Sequence, residues 1–232
     1  MEVDFAAVMR RVRQVIDDGI AFYDHAIERD EGVTLFSGRA SFASERAIEC
    51  GGEIVEFDHA LIATGARPTI PAIPGLDDVP FATSDDLLWA TELPNHLVAL
   101  GAGANSLEFA QAYQRLGGDV TIVLRGDRLA SGEDAELTAL LATYLEKEGV
   151  RIQAGVVLER VELDGGRPSV VLVDGLRITG DRLLVGLGRS PIWTVSAWQR
   201  RGSHSAPAGS LSTSICVQRN LMCSRSVMRS ED

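Results

Sequence analysis

The segment Leu97-Val98-Ala99-Leu100-Gly101-Ala102-Gly103-Ala104-Asn105-Ser106-Leu107-Glu108 carries the strongest structural signal in the chain. Residues 97–101 form a continuous apolar run, as a parallel strand covered on both faces requires. A helix is expected from Asn105 to Leu116, because Leu107, Ala110, Tyr113 and Leu116 recur at helical spacing and Gly117-Gly118 stops it. Two glycines thus sit where a strand turns into a helix. Gly101 permits the tight turn. Gly103 lacks a side chain, so a pyrophosphate can approach the backbone. Ala102, Ala104, Asn105 and Ser106 complete a loop whose free N–H groups and helix dipole favour anions. The third position of the G-x-G-x-x-G pattern is Ser106, so a hydroxymethyl group must fit where helix and strand pack closely. A second strand, Val120 to Leu124, ends about 20 residues on, the context expected for dinucleotide binding. A glycine turn serving another ligand in an α/β protein is the alternative. A transferase using S-adenosylmethionine is disfavoured, since Ala99-Leu100 precede the loop where an acidic residue is usual.

The end of that second strand bears on which dinucleotide is bound. An Asp or Glu there holds the 2′-hydroxyl of NAD; here the position is Leu124, followed by Arg125, with Arg128 nearby. Arginine pairs bidentately with a 2′-phosphate, which a carboxylate would repel. NADP is therefore expected over NAD, the alternative being that both arginines are solvated turn residues.

Farther along the chain, Asp134 to Glu148 reads as a second helix, with Leu137, Leu140, Leu141, Tyr144 and Leu145 on one face and Gly149 as its stop. Strands are expected at 150–153, 156–163, 169–173 and 182–187. Strand, helix, strand, helix, meander, strand is an α/β unit. Towards the N-terminus, residues 4–29 read as a helix capped by Asp4, with apolar residues at steps of three and four. Residues 33–62 switch to short strand-like runs: V-T-L-F, S-G-R-A-S-F, R-A-I-E-C and E-I-V-E-F, with a turn at Gly51-Gly52. Ala60 to Ala63 forms another strand stopping near Gly65, and Pro68, Pro71, Pro74 and Pro80 make a rigid, non-helical connector.

Composition narrows the partners. The 232 residues are 45% hydrophobic and include 23 glycines, enough for one or two cored domains. A net charge of −11 argues against nucleic acid and anionic membranes, because phosphate binding needs clustered Lys and Arg. No apolar run approaches the roughly 18 residues of a membrane span, and the start lacks the basic-then-apolar order of a secretory signal. A cytoplasmic protein is expected. Cys50, Cys216 and Cys223 form no close pair, so neither a zinc site nor a disulfide framework is expected. His25, His59, His96 and His204 are scattered and read as solvated or structural.

The segments A-T-G-A-R-P-x-I-P-x-I-P-G-L (63–76), G-x-G-x-x-S-L-E-F-A-Q-A-Y-x-R-L-G (101–117), V-T-I-V-L-R-G-D-R-L (120–129) and L-L-V-G-L-G-R-S-P (183–191) resemble the class I pyridine nucleotide-disulfide oxidoreductases. Within that family the Leu-Glu-Phe-Ala-Gln-Ala run and the R-L-G-G-D-V-T-I-V-L-R stretch after it look most similar to mercuric reductase. The resemblance covers about residues 8–191. It implies a Rossmann-like NAD(P)-binding domain at 93–191, part of an FAD-binding domain of the two-dinucleotide type at 1–92, and an atypical tail at 192–232. It places Gly38, Thr64, Gly65 and Ala66 against FAD, and Gly101 to Glu108 around the nicotinamide dinucleotide. The resemblance also implies that Val157 touches the dinucleotide's adenine side and that Gly188 lines its nicotinamide end. Glu108 pairs with a lysine near the flavin in this family, and Ala104 stands where some members carry a bulky aromatic gate. The implied reaction is hydride transfer from NADPH to FAD, then electron transfer to a disulfide or metal-ion acceptor, in a homodimer.

The departures from the family pattern are specific. Nothing before residue 100 reads G-x-G-x-x-G, there is no C-x-x-x-x-C, and no G-D motif or His-Glu dimerisation segment comes after G-R-S-P. The chain reads as the middle of such an enzyme, and its homodimerisation is in doubt. Residues 192–232 hold two of the three Trp and two of the three Cys, no Lys, and acidic residues only at the last two positions. On composition alone this stretch looks like out-of-frame translation of a GC-rich gene, and the tail is expected to be disordered. A non-catalytic NAD(P)H-binding remnant is the rival to an active oxidoreductase.

Overall fold

The computed structural model describes residues 3–29, 32–192 and 214–217. Along the chain run helix α1 (Phe5–Arg29), strands β1 (Ala40–Ser44), β2 (Ala47–Cys50), β3 (Glu53–Glu56), β4 (Ala60–Thr64) and β5 (Ala66–Pro68), a short helix α2 (Ser84–Leu87), β6 (His96–Leu100), α3 (Ala104–Arg115), β7 (Asp119–Val123), α4 (Ala135–Lys147) and β8 (Arg151–Gln153). Then come β9 (Leu158–Asp164), β10 (Arg167–Leu172), β11 (Arg177–Thr179), β12 (Arg182–Val185), β13 (Arg189–Pro191) and β14 (Ser214–Val217). These elements fall into two compact units, Met1–Asp17 with Pro68–Arg189, and Asp18–Arg67 with Ser190–Asp232.

The first unit is built on a parallel sheet of order β12-β6-β7-β8. Ala82 adds a parallel bridge to Leu184 beyond β12. The chain leaves β6 towards β7 and β8 on one side, and later returns to β12 on the other. The carboxyl end of β6 is thus a topological switch point, where open α/β sheets form a crevice.

Side-chain alternation assigns the two faces of this sheet. Leu97, Ala99, Val120, Ile122 and Leu184 pack with α3 and α4, through Leu107, Ala110, Tyr113 and Leu145. Phe5 and Met9 of α1 join that layer, and the Phe5 ring meets Tyr113 edge-on at 5.8 Å. The intervening residues Val98, Leu100, Val123, Leu183 and Val185 face the other way, against Val161, Val170 and Leu172. These three belong to the antiparallel meander β9-β10-β11, which covers the face that a crossover helix covers in a simple βαβ unit. The continuous apolar runs of β6 and β12 reflect cover on both faces.

The motif-based boundary near residue 92 differs from this division. Residues 68–92 and the start of α1 go with the sheet because Leu76, Val79, Ala82 and Leu87 are buried in its two cores. Gly75 fixes part of that arrangement: its φ is +77°, and a Cβ there would stand 2.0 Å from the Val161 carbonyl oxygen. The connector also contains a single 3-10 turn, Leu76–Asp78, where a wholly non-helical segment was expected.

In the second unit β1, β2 and β3 form an antiparallel sheet around Ile48, Cys50 and Phe57. The Cys50 thiol is buried and lies 3.7 Å from the Phe36 carbonyl. The expected strand at V-T-L-F is absent; residues 33–36 have no ladder partner among the described residues, and Val33 and Leu35 are exposed. Alternation alone does not make a strand where no sheet edge receives it. β14 pairs antiparallel with β4. The rest of the 192–232 tail, for which disorder is expected, lies outside the described residues, apart from Ile192. As expected, α1 is capped by Asp4, whose carboxylate accepts from the Ala7 N–H at 2.9 Å.

At the amino edge of the parallel sheet, away from the crevice, His96 and Arg151 flank the Thr121 hydroxyl at 2.9 and 3.0 Å. Burial, then the Arg151 charge, holds the imidazole below its usual pKa. The native state therefore takes up a proton on His96 less readily than the unfolded chain does. Stability is lost as pH falls from the unfolded value of about 6.5 towards the lower native one. We expect His96→Gln to lose less melting temperature than the wild type between pH 7 and pH 5, measured by thermal denaturation; equal losses would contradict this linkage.

Candidate functional site

The crevice is built by three backbone segments meeting at the carboxyl edge. β6 ends at Leu100, and Gly101 turns the chain with φ +94°. A side chain here is excluded twice, by that dihedral and because a Cβ would stand 2.4 Å from the Gly186 carbonyl oxygen at the end of β12. Gly103 is the N-cap of α3, in extended conformation, and a Cβ on it would meet nothing within 4 Å. Its missing side chain leaves open space in front of the first turn of α3, where N–H groups lack intrahelical partners.

Ser106 shows how the third fingerprint position works. The residue is 1% exposed, and its Oγ donates to the Gly186 carbonyl at 3.3 Å. A Cβ on Gly186 would fall 1.9 Å from that oxygen. The close helix-to-strand contact is kept, but the glycine that permits it lies across the interface on the segment after β12. Sequence reasoning passed over Gly186, the first glycine of L-L-V-G-L-G, because nothing in local spacing links it to a residue 80 positions earlier.

Two hollows open from this turn. The smaller, about 180 Å³, is lined by Gly103, Ala104, Asn105, Ser106 and Phe109 on one side and by Leu184 to Gly186, Gly188 and Arg189 on the other, with Pro68 and Ser84 at its rim. Gly188, at φ +105°, has free space where a Cβ would project, and its carbonyl accepts from Thr69 N–H at 2.9 Å. Arg189 donates to Asp85 Oδ1 at 3.0 Å and Ser84 Oγ at 3.3 Å. The apolar lining with a few polar groups suits a flat heterocycle.

The larger hollow, about 420 Å³, lies between Ala102 to Ala104 and the loop after β7, through Leu124, Gly126, Arg128 and Ala130 to Glu133. Arg125 is exposed, and its side chain makes no hydrogen bond or ion pair among the described residues. The Arg128 guanidinium donates to the Glu133 and Ser131 carbonyls at 2.8 and 2.6 Å. The segment before β9 closes this side of the crevice: Gly155 N–H donates to the Gly126 carbonyl at 2.7 Å, and Val157 is exposed at the same edge. Glu108 is exposed on α3, without a hydrogen bond or ion pair from its side chain among the described residues.

The residues assigned to a flavin lie in the second unit. The Thr64 hydroxyl donates to the Ile192 carbonyl, and the Gly65 carbonyl accepts from Ile192 N–H at 2.9 Å. Ala66 opens β5. Gly38, at φ +149°, packs on the Gly51 turn, where a Cβ would stand 3.1 Å from the Gly51 nitrogen. No described strand of that unit passes through a glycine turn into a helix N-terminus. The described residues fit a dinucleotide at the β6–α3 turn and offer a flavin pyrophosphate no comparable cradle. No cluster of three or more metal-ligating side chains occurs among the described residues.

A parallel sheet with a glycine turn and an open helix N-terminus at its switch point defines a dinucleotide-binding Rossmann unit. The family model of pyridine nucleotide-disulphide oxidoreductase matches residues 12–202, and the chain belongs to that family. It is 37% identical over 168 residues to a mercuric reductase of Bacillus cereus, covering 71% of this chain and 27% of that protein. It is 31% identical over 216 residues to a dihydrolipoyl dehydrogenase of Bacillus subtilis, covering 90% and 46%. Among solved structures, the Cu(II) complex of the HOCl-induced flavoprotein disulfide reductase RclA from Escherichia coli superposes with a TM-score of 0.78 at 26% identity, covering 90% of this chain and 48% of that one. The chain thus spans between about a quarter and a half of the length of these relatives.

The Ser106–Gly186 contact yields a sharp test. Gly186→Ala has no backbone obstacle, since Gly186 is not among the positive-φ glycines, so its cost is the collision with Ser106. We expect Gly186→Ala to destabilise the protein by about 1–3 kcal/mol, as overpacking does, and Ser106→Ala in the same chain to restore at least half of it. Chemical denaturation of the two single variants and the double variant measures the coupling, and additive losses would refute the contact's importance.

Proposed function

We propose that this chain supplies the NADPH-binding unit of an FAD-dependent NAD(P)H oxidoreductase of the mercuric reductase kind. In that reaction a hydride passes from the nicotinamide to the flavin, and two electrons then reduce a disulfide or a metal ion; the cofactors supply this chemistry and the protein positions them. The observation that carries the reading is the open glycine turn at the switch point, Gly101 at φ +94° and Gly103 with nothing within 4 Å of a Cβ. The pyrophosphate would rest on the N–H groups from Ala102 to Ser106, with the nicotinamide in the smaller hollow beside Gly188 and the adenosine in the larger one, whose lining does not include Val157.

NADPH is the preferred dinucleotide in this reading. Leu124 and Arg125 stand where an acidic residue would accept from the 2′-hydroxyl of NAD, and the Arg125 guanidinium, which has no partner among the described residues, can pair with a 2′-phosphate. The partners are dinucleotides, without nucleic acid or membrane; no described helix is long and apolar enough to cross a bilayer. We place the protein in the cytoplasm, a reducing compartment that suits three cysteines with no close pair in the sequence.

A second reading, a non-catalytic NAD(P)H-binding remnant, is favoured by the second unit. Its Thr64 and Gly65 are engaged with Ile192, and Cys50 is a free, buried thiol. Glu108 has no lysine paired with it among the described residues.

The visible spectrum of the purified chain, with a melting curve with and without NADPH, separates these readings. We expect NADPH to raise stability by about 2.7 kcal/mol at a hundredfold excess over its dissociation constant. We expect little or no flavin absorbance from this chain alone. A flavin band that bleaches on NADPH addition would favour the catalytic reading and overturn the second one. No thermal shift with either NADPH or NADH would overturn both.

A further inference from the structure

The loop that walls the larger hollow assigns its two arginines different tasks. Arg128 is half-buried and directs both terminal nitrogens inward, onto the carbonyls of Ser131 at 2.6 Å and Glu133 at 2.8 Å. Between Arg128 and these acceptors the chain makes a conformation that L residues rarely adopt, with Ala130 at φ +39°. Three further contacts hold it there. Leu129 is buried at 2% exposure, Glu133 N–H donates to the Ala130 carbonyl at 2.8 Å, and Ala130 N–H donates to the Ala102 carbonyl at 2.8 Å. Ala102 is the middle residue of the glycine turn itself. The guanidinium thus closes a small ring of backbone whose other side is hydrogen-bonded to the pyrophosphate cradle. Arg125, three residues earlier, is exposed, and its side chain has no hydrogen-bond or ion-pair partner among the described residues.

Resting on the dinucleotide reading, we propose that Arg128 is a positioning residue that fixes the loop at 128–133 against the glycine turn, so that it governs affinity for the dinucleotide as a whole, while the choice between NADPH and NADH falls to Arg125. A guanidinium has a planar fork that can satisfy two carbonyls at once. A lysine ammonium is a point charge on a flexible stem and cannot reproduce that fork. A group acting on the 2′-phosphate would affect NADPH alone when removed; a fork on two loop carbonyls affects both dinucleotides. The loop's strained Ala130 needs fixed neighbours to persist, and releasing Arg128 frees the Ala130–Ala102 contact that shapes the cradle.

The test uses the full chain and two readouts. Dissociation constants for NADPH and NADH are measured by fluorescence titration on the wild type, Arg128→Lys, Arg128→Ala and Arg125→Ala. Hydrogen exchange at the Ala130 and Glu133 amides is followed without nucleotide. We expect Arg128→Lys and Arg128→Ala each to weaken both dinucleotides by about tenfold with their ratio unchanged, the scale of one or two lost hydrogen bonds. Exchange at both amides is expected to accelerate. Arg125→Ala should weaken NADPH alone and leave exchange unchanged. If Arg128→Ala weakens only NADPH, whether or not Arg128→Lys restores it, Arg128 holds the phosphate and the proposal is wrong. It is equally wrong if the exchange rates do not change, or if they rise while both affinities stay at wild-type values. A wild type that binds neither dinucleotide overturns the dinucleotide reading, and the exchange data still report separately whether Arg128 holds the loop.

Discussion

The first unit depends on a contact between two pieces of backbone with no side chain between them. Gly101, at the end of β6, and Gly186, at the end of β12, lie so close that a single added carbon on the first would stand 2.4 Å from the carbonyl of the second. Gly186 N–H in turn donates to the Leu100 carbonyl at 2.9 Å, and Gly101 N–H to the Val123 carbonyl at 2.8 Å. These bonds carry the ladder of the parallel sheet one residue past its strands and into the turn. Because the sheet is pinned there, the first turn of α3 starts at a fixed height above the carboxyl edge. Its unpaired N–H groups then face the crevice instead of the core. An anion-binding helix end is a consequence of where two neighbouring strands are allowed to stop.

This explains why the fingerprint tolerates Ser106. The usual glycine or alanine at that position keeps helix and sheet close, a requirement on the pair of surfaces and not on one residue. Removing the side chain from Gly186 meets the same requirement from the opposite side, and the serine hydroxyl then finds an acceptor in the carbonyl so exposed. A buried hydroxyl without that acceptor would carry the desolvation cost of an unpaired polar group.

The sequence disclosed most where one local physical rule dominated. β6, α3, β7 and α4 were legible because apolar run length, helical period and glycine stops agree in the same stretch, and α1 because its 3.6-residue period persists over its full length. The antiparallel strand β11 was missed since Arg177-Ile178-Thr179 is too short to show a period, and its strand character comes from pairing with β10. V-T-L-F failed in the opposite way: its residues favour a strand, yet no neighbouring edge among the described residues receives it. At the site, the glycines and both arginines were visible as residue types. The task of Arg128 was not, because its acceptors are main-chain carbonyls, which every residue possesses and no spacing reveals. The engagement of Thr64 by Ile192, 128 residues apart, was hidden for the same reason.

The two units therefore stand differently towards the chemistry of their family. In the first, every element that a dinucleotide requires is made by backbone geometry internal to the unit: a glycine turn, an open helix end, and a loop held to that turn by Ala130 and Ala102. A dinucleotide bound as proposed would displace no intramolecular hydrogen bond of the described residues in the cradle, so the site is preorganised for it. In the second unit, two of the groups assigned to a flavin are already engaged by Ile192. The Thr64 hydroxyl has an acceptor in Ile192 and the Gly65 carbonyl has a donor there, while Gly38 is held by the Gly51 turn. A flavin approaching them would have to replace contacts already made, with no helix end to compensate. On the proposed reading, affinity for each cofactor depends on which backbone groups each unit leaves unpaired, and this asymmetry is the reason to expect nucleotide binding without flavin retention from this chain alone.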